Sequence, residues 1–359
     1  MQLGIIGLQS AGKTTIFNAL TGGNLPTGAA AGIGRPEVHT AVSDVPDERV
    51  TALAGLFRPR KTIYAKVTYA DIGGLKADIG REGLPGTLIN QLAQVDGLLH
   101  VVRAFDNSAV PHPLERIDPE QDYATLESEL LLTDMLTVER RRKRQDEEYQ
   151  RGGRDRAAVE REMALFKRLE AHLSQSQPLR SLDLNDEEER TLSGFGLLTR
   201  KPMLVVVNLG EGASMPAGLL ASHGVGVDVL SLQGELEMEI AQLSPEERRT
   251  FQQEYGIEES GRRRVLRASY ALLNQISFFT VGEDEVRAWT LRRGETALKA
   301  ADTIHSDLAR GFIRAEVIAW DLLLELGGLS QARQQGKLRL EGKEYLVQDG
   351  EVVHVRFNA

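Results

Sequence analysis

Residues 7–14 read Gly7-Leu8-Gln9-Ser10-Ala11-Gly12-Lys13-Thr14, and this stretch decides the fold of the chain. It fits the pattern G-x-x-x-x-G-K-[ST] with no mismatch. The apolar run QLGIIG leads into it and the helical pattern TTIFNALTG follows, which predicts a strand, a turn and a helix. We call this stretch the phosphate loop, because such a turn presents backbone N–H groups and a helix N-terminus to an anion. A chance match on a glycine-rich turn would not explain the flanking elements.

The residue types in the phosphate loop predict contacts with a nucleotide and a magnesium ion. Gly7 and Gly12 let the backbone approach closely because they have no Cβ. Lys13 is the predicted cation for the β- and γ-phosphates, with both a binding and a catalytic role, and the Thr14 hydroxyl is a predicted magnesium ligand. Nucleotide contacts are predicted for the glycines and for Ser10, Ala11, Lys13, Thr14 and Thr15.

A second motif, Asp71-Ile72-Gly73-Gly74, closes the apolar run TIYAKVTYAD and has the form D-x-x-G. Asp71 is predicted to hold magnesium through a water, and the Gly74 N–H is predicted to sense the γ-phosphate during catalysis. The motif is weak alone, but it lies 57 residues after Thr14 at a strand end. Leu75 follows, where a hydrolytic switch protein often carries a water-orienting glutamine, and leucine cannot hydrogen-bond to water.

The third motif, Asn208-Leu209-Gly210-Glu211, follows the apolar run PMLVVV at the position that reads the base in such folds. Guanine-specific proteins carry N-K-x-D there. Leu209 replaces the lysine, and Glu211 is one methylene longer than the aspartate. A misplaced acceptor leaves buried donors unpaired at a cost of ~1–3 kcal/mol, so we expect guanine preference to be lost. The alternative for Glu211 is a solvated residue at a strand end.

Four apolar runs separated by helical patterns predict an α/β fold with a mostly parallel sheet covered by helices on both faces. From Tyr123 to about Gln175, apolar residues recur at helical spacing on either side of Gly152-Gly153. This pattern predicts an antiparallel helical arm, and a pair of ordinary covering helices is the alternative. After residue 275, strand patterns surround a helix that enters at Thr296, and Asp349-Gly350 indicates a hairpin.

Composition excludes several classes of function. The 359 residues suggest two or three domains, and the apolar (41%) and charged (26%) fractions are those of a globular protein. The net charge of -9 excludes a chain-wide basic surface, and we expect no DNA partner. The chain has no cysteine, which excludes disulfides and zinc–thiolate sites. No apolar run approaches ~20 residues and the N-terminus turns polar early, so we expect a cytoplasmic protein with no membrane contact.

With these residues in place, the chain resembles the Obg-like ATPases, the YchF family of P-loop proteins. The resemblance covers nearly the whole length and is carried by these stretches: GLQSAGKT, VPDERV, DIGGL, REGLPGTLINQLAQVD, HVVRAF, TLESELLLTDMLTVE, LLTRKPMLVVVNLGE, ELEMEIAQL, FFTVG, VRAWTLRRG, GFIRAEVIAW and GKLRLEGKEYLVQDGEVVHVRF. It implies hydrolysis of ATP in preference to GTP, dependence on Mg²⁺, a coiled-coil arm, a C-terminal ubiquitin-like β-grasp (TGS) domain and association with the ribosome. The implied boundaries are a nucleotide-binding domain at 1–122 and 179–275, the arm at 123–178 and the TGS domain at 276–359.

Some positions depart from the family pattern. Ser10 replaces the usual asparagine, and the switch I pattern T-I-E-P-N appears as Arg35 to His39, with Thr40 as a nearby substitute for the missing threonine. The base loop S-A-K reads Gln233-Gly234-Glu235, which leaves backbone contacts by Gln233 and Gly234. His112 matches a histidine that follows the family's F-x-N-x-x-I sequence. A neutral imidazole could orient water in place of Leu75, and the alternative is an exposed loop histidine.

Three functions follow from these motifs. The first is an ATPase switch, the second a nucleotide-gated binding module with vestigial hydrolysis, and the third a GTPase with a relaxed base site. We expect a monomer that binds ATP or ADP and contacts the ribosome through the TGS domain and the arm. Two basic clusters motivate the ribosome contact: Arg140, Arg141, Arg142, Lys143 and Arg144, and Arg262, Arg263, Arg264 and Arg267. For the arm cluster, a solvated charged face is the alternative.

Overall fold

The computed structural model describes residues 1–27, 38–73, 84–151, 155–215, 227–255 and 259–358. These residues divide into two compact units. The N-terminal unit comprises Met1–Ala41 and Thr68–Val265, and the C-terminal unit comprises Val42–Val67 and Leu266–Ala359.

The strands and helices follow one another along both units. The strands are β1 (Gln2–Ile6), β2 (His39–Asp44), β3 (Lys61–Ile63), β4 (Lys66–Asp71), β5 (Gly97–Ala104), β6 (Met203–Leu209), β7 (Val227–Leu232), β8 (Gln275–Val281), β9 (Glu285–Arg292), β10 (Phe312–Ala319), β11 (Arg339–Glu341) and β12 (Glu351–Phe357). The α-helices are α1 (Lys13–Thr21), α2 (Glu48–Phe57), α3 (Gly86–Gln94), α4 (Pro119–Arg151), α5 (Arg156–Leu173), α6 (Asp186–Leu192), α7 (Gly234–Gln242), α8 (Pro245–Glu254), α9 (Gly261–Leu272), α10 (Ala297–Ile304), α11 (Ser306–Arg310), α12 (Trp320–Leu326) and α13 (Leu329–Gln334). None of the described helices combines the length and apolar character that crossing a membrane requires.

The first sheet has the strand order β2-β4-β1-β5-β6-β7. The central strand β1 pairs in parallel with β4 and β5, and β5, β6 and β7 continue in parallel. The predicted α/β fold with a mostly parallel sheet is therefore confirmed. Because parallel strands end at the same edge, the segments after β1, β4, β5 and β6 meet there, and these segments carry the predicted site residues.

Side chains from both faces of this sheet are buried, as the continuous apolar runs predict. On one face, Leu98 and Val205 pack with Leu92 of α3 and Leu126 of α4. The residues that alternate with Leu98 and Val205 along their strands are also fully buried. Helix α1 packs against α7 and β1. This layered arrangement fixes the strand ends that hold the site.

The arm shows both arrangements that the sequence analysis left open, covering helices on the sheet and an antiparallel helical arm. The first turns of α4 cover the sheet through Tyr123 and Leu126. Farther along, Val138 of α4 packs with Phe166 and Leu169 of α5 in a separate apolar cluster. The 33 residues of α4 span about 50 Å at the rise of an α-helix, so one helix serves both purposes. The predicted break at Gly152-Gly153 lies outside the described residues.

The C-terminal unit has the β-grasp arrangement that the family resemblance implied. Its sheet has the order β11-β10-β12-β8-β9-β3, with β8 and β12 parallel at the centre. Helix α10 packs its alanines against one face of the sheet, beside Phe278 and Val353. Thr296 caps α10 by accepting a hydrogen bond from the Lys299 N–H at 3.3 Å.

The expected boundary at 1–122 differs from the observed division, because residues 42–67 pack in the C-terminal unit. Strand β3 adds to the edge of the β-grasp sheet by pairing in parallel with β9. Helix α2 packs against β8, β9 and α12. The Arg49 guanidinium donates to Asp349 at 2.8 Å and lies 5.2 Å from the centre of the Phe279 ring.

Three local expectations are corrected by the structure. The run TIYAKVTYAD is not one strand, because β3 and β4 belong to different sheets. Strands β11 and β12 do not form a hairpin with each other, since both pair with β10. The helix that begins after Thr296 ends at Ile304, and a second helix starts at Ser306, where the His305 ring accepts from the Asp307 N–H.

Candidate nucleotide site

The phosphate loop adopts the strained turn that its glycines predict. Gly12 has φ +88°, and a Cβ at this position would lie 2.2 Å from Nδ2 of Asn208. Gly7 has φ +151°, and a Cβ there would lie 2.3 Å from the Val101 carbonyl oxygen. Both contacts are shorter than any side chain tolerates, so the loop needs glycine at both positions. Ser10 is left-handed as well, with φ +65°.

Backbone N–H groups at the start of α1 provide the anion-binding surface. The first N–H that bonds within the helix is that of Ile16, which donates to the Gly12 carbonyl at 2.9 Å. The Ala11 N–H, for which a nucleotide contact was predicted, donates to the Leu8 carbonyl at 3.3 Å within the turn. In the described part of the chain, the N–H groups of four successive residues bond to no protein acceptor: Gly12, Lys13, Thr14 and Thr15. These donors and the positive end of α1 fit a phosphate group.

The Lys13 side chain lies buried beside these N–H groups. Its Nζ donates to the Leu8 carbonyl at 2.8 Å. Burial lowers the pKa of Lys13 to about 8, although the nearby charge of Asp71 opposes this shift. A buried ammonium without full charge compensation gains from an anion placed next to it, so the environment of Lys13 fits phosphate oxygens.

Thr14 and Asp71 form the predicted pair for a magnesium ion. The Thr14 Oγ1 donates to the Asp71 Oδ2 at 2.7 Å, which brings one hydroxyl and one carboxylate together at the ends of β1 and β4. Among the described residues, no group of three or more His, Cys, Asp or Glu side chains could hold a metal ion. The pair fits Mg²⁺, which keeps several waters and takes few protein ligands when phosphates complete its shell.

Asn208 connects the phosphate loop to the start of α7. Its Nδ2 donates to the Ala11 carbonyl at 3.1 Å, and its Oδ1 accepts from the Gly234 N–H at 3.1 Å. The side chain is 3% exposed, so both polar ends are satisfied inside the protein. Gly234 is required here because a Cβ would lie 2.6 Å from the Asn208 Oδ1. Asn208 and Gly234 therefore position the walls of the site.

A cavity of about 910 Å³ opens over the phosphate loop, all of it within the N-terminal unit. The predicted site residues that line it are Ser10, Gly12, Lys13, Thr14, Thr15, Asp71, Asn208, Leu209, Glu211 and Gln233. Gly7, Ala11, Gly234 and His112 do not line it. The lining residues to which the sequence analysis gave no role are Gln9, His39, Gly73, Gly210 and Glu235, which lie within quoted motifs, and Leu25, Pro26, Thr27, Phe105, Asp106, Asn107, Val110, Leu236, Met238 and Glu239. Phe105, Asn107 and Val110 stand at the three specified positions of the family's F-x-N-x-x-I sequence.

The environment of His112 contradicts one of its two predicted alternatives. The residue is 8% exposed, so it is not an exposed loop histidine. Its Nδ1 accepts from the Leu114 N–H at 3.1 Å, which leaves the proton on Nε2, 2.8 Å from Oδ2 of Asp122. Burial raises the pKa of Asp122, and the hydrogen bond from His112 opposes this shift. In this structure both imidazole nitrogens are occupied within the protein.

Two further predictions concern the γ-phosphate contact of Gly74 and the substitution of Thr40 for the magnesium-sensing threonine of switch I. Gly74 and Leu75 lie outside the described residues. Thr40, the substitute for the switch I threonine, is exposed on β2 and does not line the cavity, whereas the neighbouring His39 does.

Comparison with family models matches both ends of the chain. Residues 2–141 match a model described as 50S ribosome-binding GTPase. Residues 275–358 match the model of the YchF GTPase C-terminal domain, whose description is "Protein of unknown function (DUF933)". The two matches fall on the phosphate-loop region and on the β-grasp sheet.

Comparison with known proteins extends the likeness to the full length. The ribosome-binding ATPase YchF of Bacillus subtilis is 38% identical, and the alignment covers 99% of this chain and 98% of that protein. The protein of the same name from Haemophilus influenzae is also 38% identical with the same coverage. The solved structure of the Schizosaccharomyces pombe YchF GTPase superposes with a TM-score of 0.86 at 28% identity, over 99% of this chain and 97% of that one. With its phosphate loop, helical arm and β-grasp unit, this chain belongs to the YchF family.

Proposed function

We propose that this protein is a ribosome-associated ATPase switch that binds ATP with Mg²⁺ and hydrolyses it to ADP and phosphate. The observation that carries the proposal is that three features meet at one cavity: the N–H groups at the start of α1 that find no acceptor among the described residues, the buried Lys13 ammonium and the Thr14–Asp71 pair. Together they match the charge and the hydrogen-bonding capacity of a nucleotide triphosphate with its metal.

The residues at the base end support ATP over GTP. Leu209 and Glu211 both line the cavity. Leu209 has no polar group for the base, and the carboxylate of Glu211 is displaced by one methylene from the position of the aspartate that reads a guanine edge. The Bacillus subtilis and Haemophilus influenzae relatives are named ATPases, which agrees with this chemistry, although the Schizosaccharomyces pombe relative is described as a GTPase. The GTPase alternative is therefore tested directly by comparing the two nucleotides.

The side chains of this chain would each act on a different part of the reaction. Lys13 would bind the β- and γ-phosphates, and Thr14 and Asp71 would hold the magnesium ion, which neutralises charge that develops on the phosphates. The Gly74 N–H would contact the γ-phosphate. His112 would orient the attacking water, and to do so its Nε2 would have to leave Asp122. A partner that rearranges this loop would then raise turnover.

The position of His112 favours one second candidate, a nucleotide-gated binding module with vestigial hydrolysis. If His112 stays bound to Asp122 in every state, the chain lacks the water-orienting group that Leu75 also fails to supply. Phosphate release measured with and without ribosomes separates the two candidates. Ribosome-stimulated turnover supports the ATPase switch, and nucleotide binding without turnover under both conditions supports the gated module.

The ribosome contact is supported by the names of the relatives and by part of the arm's charge. Arg141 pairs with Glu162 at 2.7 Å and Arg142 pairs with Glu170, so these two arginines serve the arm itself. Lys143 and Arg144 are exposed, and no ion pair in the described residues neutralises them. Three arginines of the second cluster bond within the protein: Arg262 donates to the Leu20 carbonyl at 3.1 Å, the exposed Arg264 donates to the Ser231 carbonyl at 3.1 Å, and Arg263 lies 3.8 Å from Glu259.

We therefore expect Lys143 and Arg144, with exposed arginines of the C-terminal unit such as Arg314, to contact ribosomal phosphates. Neutralising Lys143, Arg144 and Arg314 to glutamine should weaken co-sedimentation with ribosomes and flatten its dependence on salt. Neutralising Lys66, Lys299 and Arg310, which pair with Asp44, Asp302 and Asp307, removes the same number of charges and controls for charge alone. Equal co-sedimentation of all variants at low salt would refute this contact. A ribosome-bound monomer acts in the cytoplasm, which is where we place the protein.

The Lys13→Ala variant tests the nucleotide site itself. We expect it to abolish tight ATP binding in titration calorimetry, because the phosphates lose the positioned cation. Lys201→Ala is the matched control, since Lys201 is also a partly buried lysine that donates to backbone carbonyls, those of Ala93 and Val95, away from the cavity. Near-normal ATP affinity of Lys13→Ala would remove the phosphate loop from nucleotide binding.

A further inference from the structure

We infer that Arg103 is a positioning residue for the nucleotide site, although its side chain does not line the cavity. The inference rests on the proposed nucleotide binding and assigns part of that binding to a residue of the HVVRAF stretch to which the sequence analysis gave no role. Arg103 lies near the end of β5 and is 1% exposed, and among the described residues it is the largest side chain that is less than 2% exposed.

The Arg103 guanidinium holds two backbone carbonyls from different segments. Its Nη1 donates to the Ser10 carbonyl of the phosphate loop at 3.1 Å. Its Nε donates to the Phe105 carbonyl at 3.0 Å, and the guanidinium lies 4.3 Å from the centre of the Phe105 ring. One rigid planar group therefore joins the phosphate loop to the segment that follows β5.

The charge of Arg103 has no carboxylate in direct contact among the described residues. Burial lowers the pKa of Arg103, and the more distant charges of Asp106 and Asp122 offset this only in part. Burying a cation that contacts only carbonyls and an aromatic ring costs free energy of folding. An apolar residue could fill a purely structural role at a lower cost in stability. Phosphates bound at the neighbouring loop would supply the missing negative charge.

The hydrogen bond from Arg103 to the Ser10 carbonyl fixes the orientation of a peptide group in the phosphate loop, and nucleotide binding depends on this orientation. Ser10 is left-handed at φ +65°, a conformation that a non-glycine residue adopts only where its surroundings hold it. While the Ser10 carbonyl accepts from Arg103, it cannot turn toward the cavity, where its negative end would repel phosphate oxygens. Arg103 thus keeps the concave side of the loop lined by N–H groups.

The contact with Phe105 places an aromatic ring against the same cavity. Phe105 lines the cavity, and its ring would lie 3.8 Å from a Cβ at Gly12. The segment continues to Asn107 and Val110, which also line the cavity. Loss of Arg103 would therefore release the phosphate loop and this wall of the site together, and the expected effect is on nucleotide binding.

The Arg103→Met and Arg103→Lys variants test the inference by titration with ATP and with ADP and by steady-state kinetics. Methionine keeps the apolar volume but donates no hydrogen bond, and lysine keeps the charge but cannot reproduce the two-carbonyl geometry. We expect Arg103→Met to weaken the binding of both ATP and ADP at least tenfold. The KM for ATP should rise by a similar factor, and kcat should stay within about threefold of the parent value. Arg103→Lys should recover part of the lost affinity.

Arg180→Met is the matched control for the loss of a buried arginine. Arg180 pairs with Glu127 away from the cavity, so its replacement should lower the melting temperature without changing nucleotide affinity. Parent-like affinity of folded Arg103→Met would overturn the inference, as would a loss in Arg180→Met equal to that in Arg103→Met. If Arg103→Met does not fold, parent-like affinity of Arg103→Lys would overturn it. Normal binding by Lys13→Ala would instead refute the nucleotide site itself, so the two failures are distinguishable.

Discussion

Arg103 and Asn208 are direct neighbours in the register of β5 and β6, and they donate to the carbonyls of consecutive residues, Ser10 and Ala11. The two bonds have the same length, 3.1 Å. Residues in register on parallel strands share one face of the sheet, so two strand ends hold the phosphate loop from beneath. This support explains how a loop with three left-handed residues keeps its carbonyls turned from the cavity.

Asn208→Ala should weaken nucleotide binding. The change removes the donor to Ala11 and the acceptor for the Gly234 N–H, which leaves two buried groups unsatisfied. We expect a loss of ~1–3 kcal/mol in ATP affinity, roughly 5- to 150-fold, measured by titration calorimetry. Asn208→Asp should bind no better, because its carboxylate keeps the acceptor for Gly234 but would face the Ala11 carbonyl without a proton to donate.

Asn185→Ala is the control for the Asn208 variants. Asn185 caps α6 by accepting from the N–H groups of Glu187 and Glu188, so its loss should cost about 1 kcal/mol of stability. Its nucleotide affinity should remain that of the parent. Parent-like ATP affinity in both Asn208 variants would show that the bridge from the phosphate loop to α7 has no part in binding.

The phosphate loop could be predicted from sequence because its chemistry is local. Each residue from Gly7 to Thr14 acts through its own backbone or side chain, and the strand and helix that position it are its chain neighbours. The same holds for Asp71 and Asn208, which end apolar runs. The parallel sheet then brings these three segments to one edge.

Contacts that depend on distant pairing could not be predicted in this way. Strand β3 has three residues and pairs with β9 more than 200 positions later, so no periodicity identifies it. A buried arginine such as Arg103 is rare, and residue type alone places it at the surface. His112 was chosen from its position after Asn107, but its contact with Asp122 forms only when α4 packs against that loop.

Replacing Leu209 with Lys and Glu211 with Asp should move nucleotide preference from ATP toward GTP. The two changes restore the residue types that read a guanine edge, and both positions line the cavity. Competition titrations with ATP and GTP measure the preference in the parent and the double variant. Leu209→Met, which keeps an apolar side chain there, controls for altered packing. A parent that prefers GTP would contradict this interpretation of the base site.

Glu316→Gln should destabilise the C-terminal unit at neutral pH and lose this effect in acid. Glu316 is buried between Arg333, whose Nη2 donates at 3.0 Å, and Arg356. Burial alone would raise the pKa of Glu316, but Arg356 and Arg333 outweigh it and hold this pKa below its usual range. The carboxylate therefore stabilises fully above the unfolded pKa of about 4.3, and the stabilisation is lost as pH falls through the lower folded value.

The measurement is the difference in unfolding free energy between the parent and Glu316→Gln at pH 7, 5 and 3. We expect about 1 kcal/mol at pH 7 and 5, because both arginines are half exposed, and a smaller difference at pH 3. Glu344→Gln removes an exposed carboxylate of the same unit and controls for net charge. A difference that is equal at pH 7 and pH 3 would rule out the ion pairs as its source.

His112→Ala should reduce turnover without changing ATP affinity. The side chain lies outside the cavity in this structure and is held by Asp122 and the Leu114 N–H, so the resting site binds nucleotide without it. If the imidazole orients water after leaving Asp122, ribosome-stimulated turnover should fall at least tenfold, a barrier change of about 1.4 kcal/mol.

Asp122→Asn separates a catalytic imidazole from a structural pair. It disturbs the same 2.8 Å contact from the other side and leaves His112 in place. Both variants should lower the melting temperature, because each removes part of a buried pair. Only His112→Ala should lose turnover by tenfold, since asparagine can still accept from Nε2 and release it. If His112→Ala keeps the turnover of the parent with ribosomes present, the His112–Asp122 pair has only a structural role. If both variants lose turnover equally, the loss comes from disturbing the pair and not from removing the imidazole.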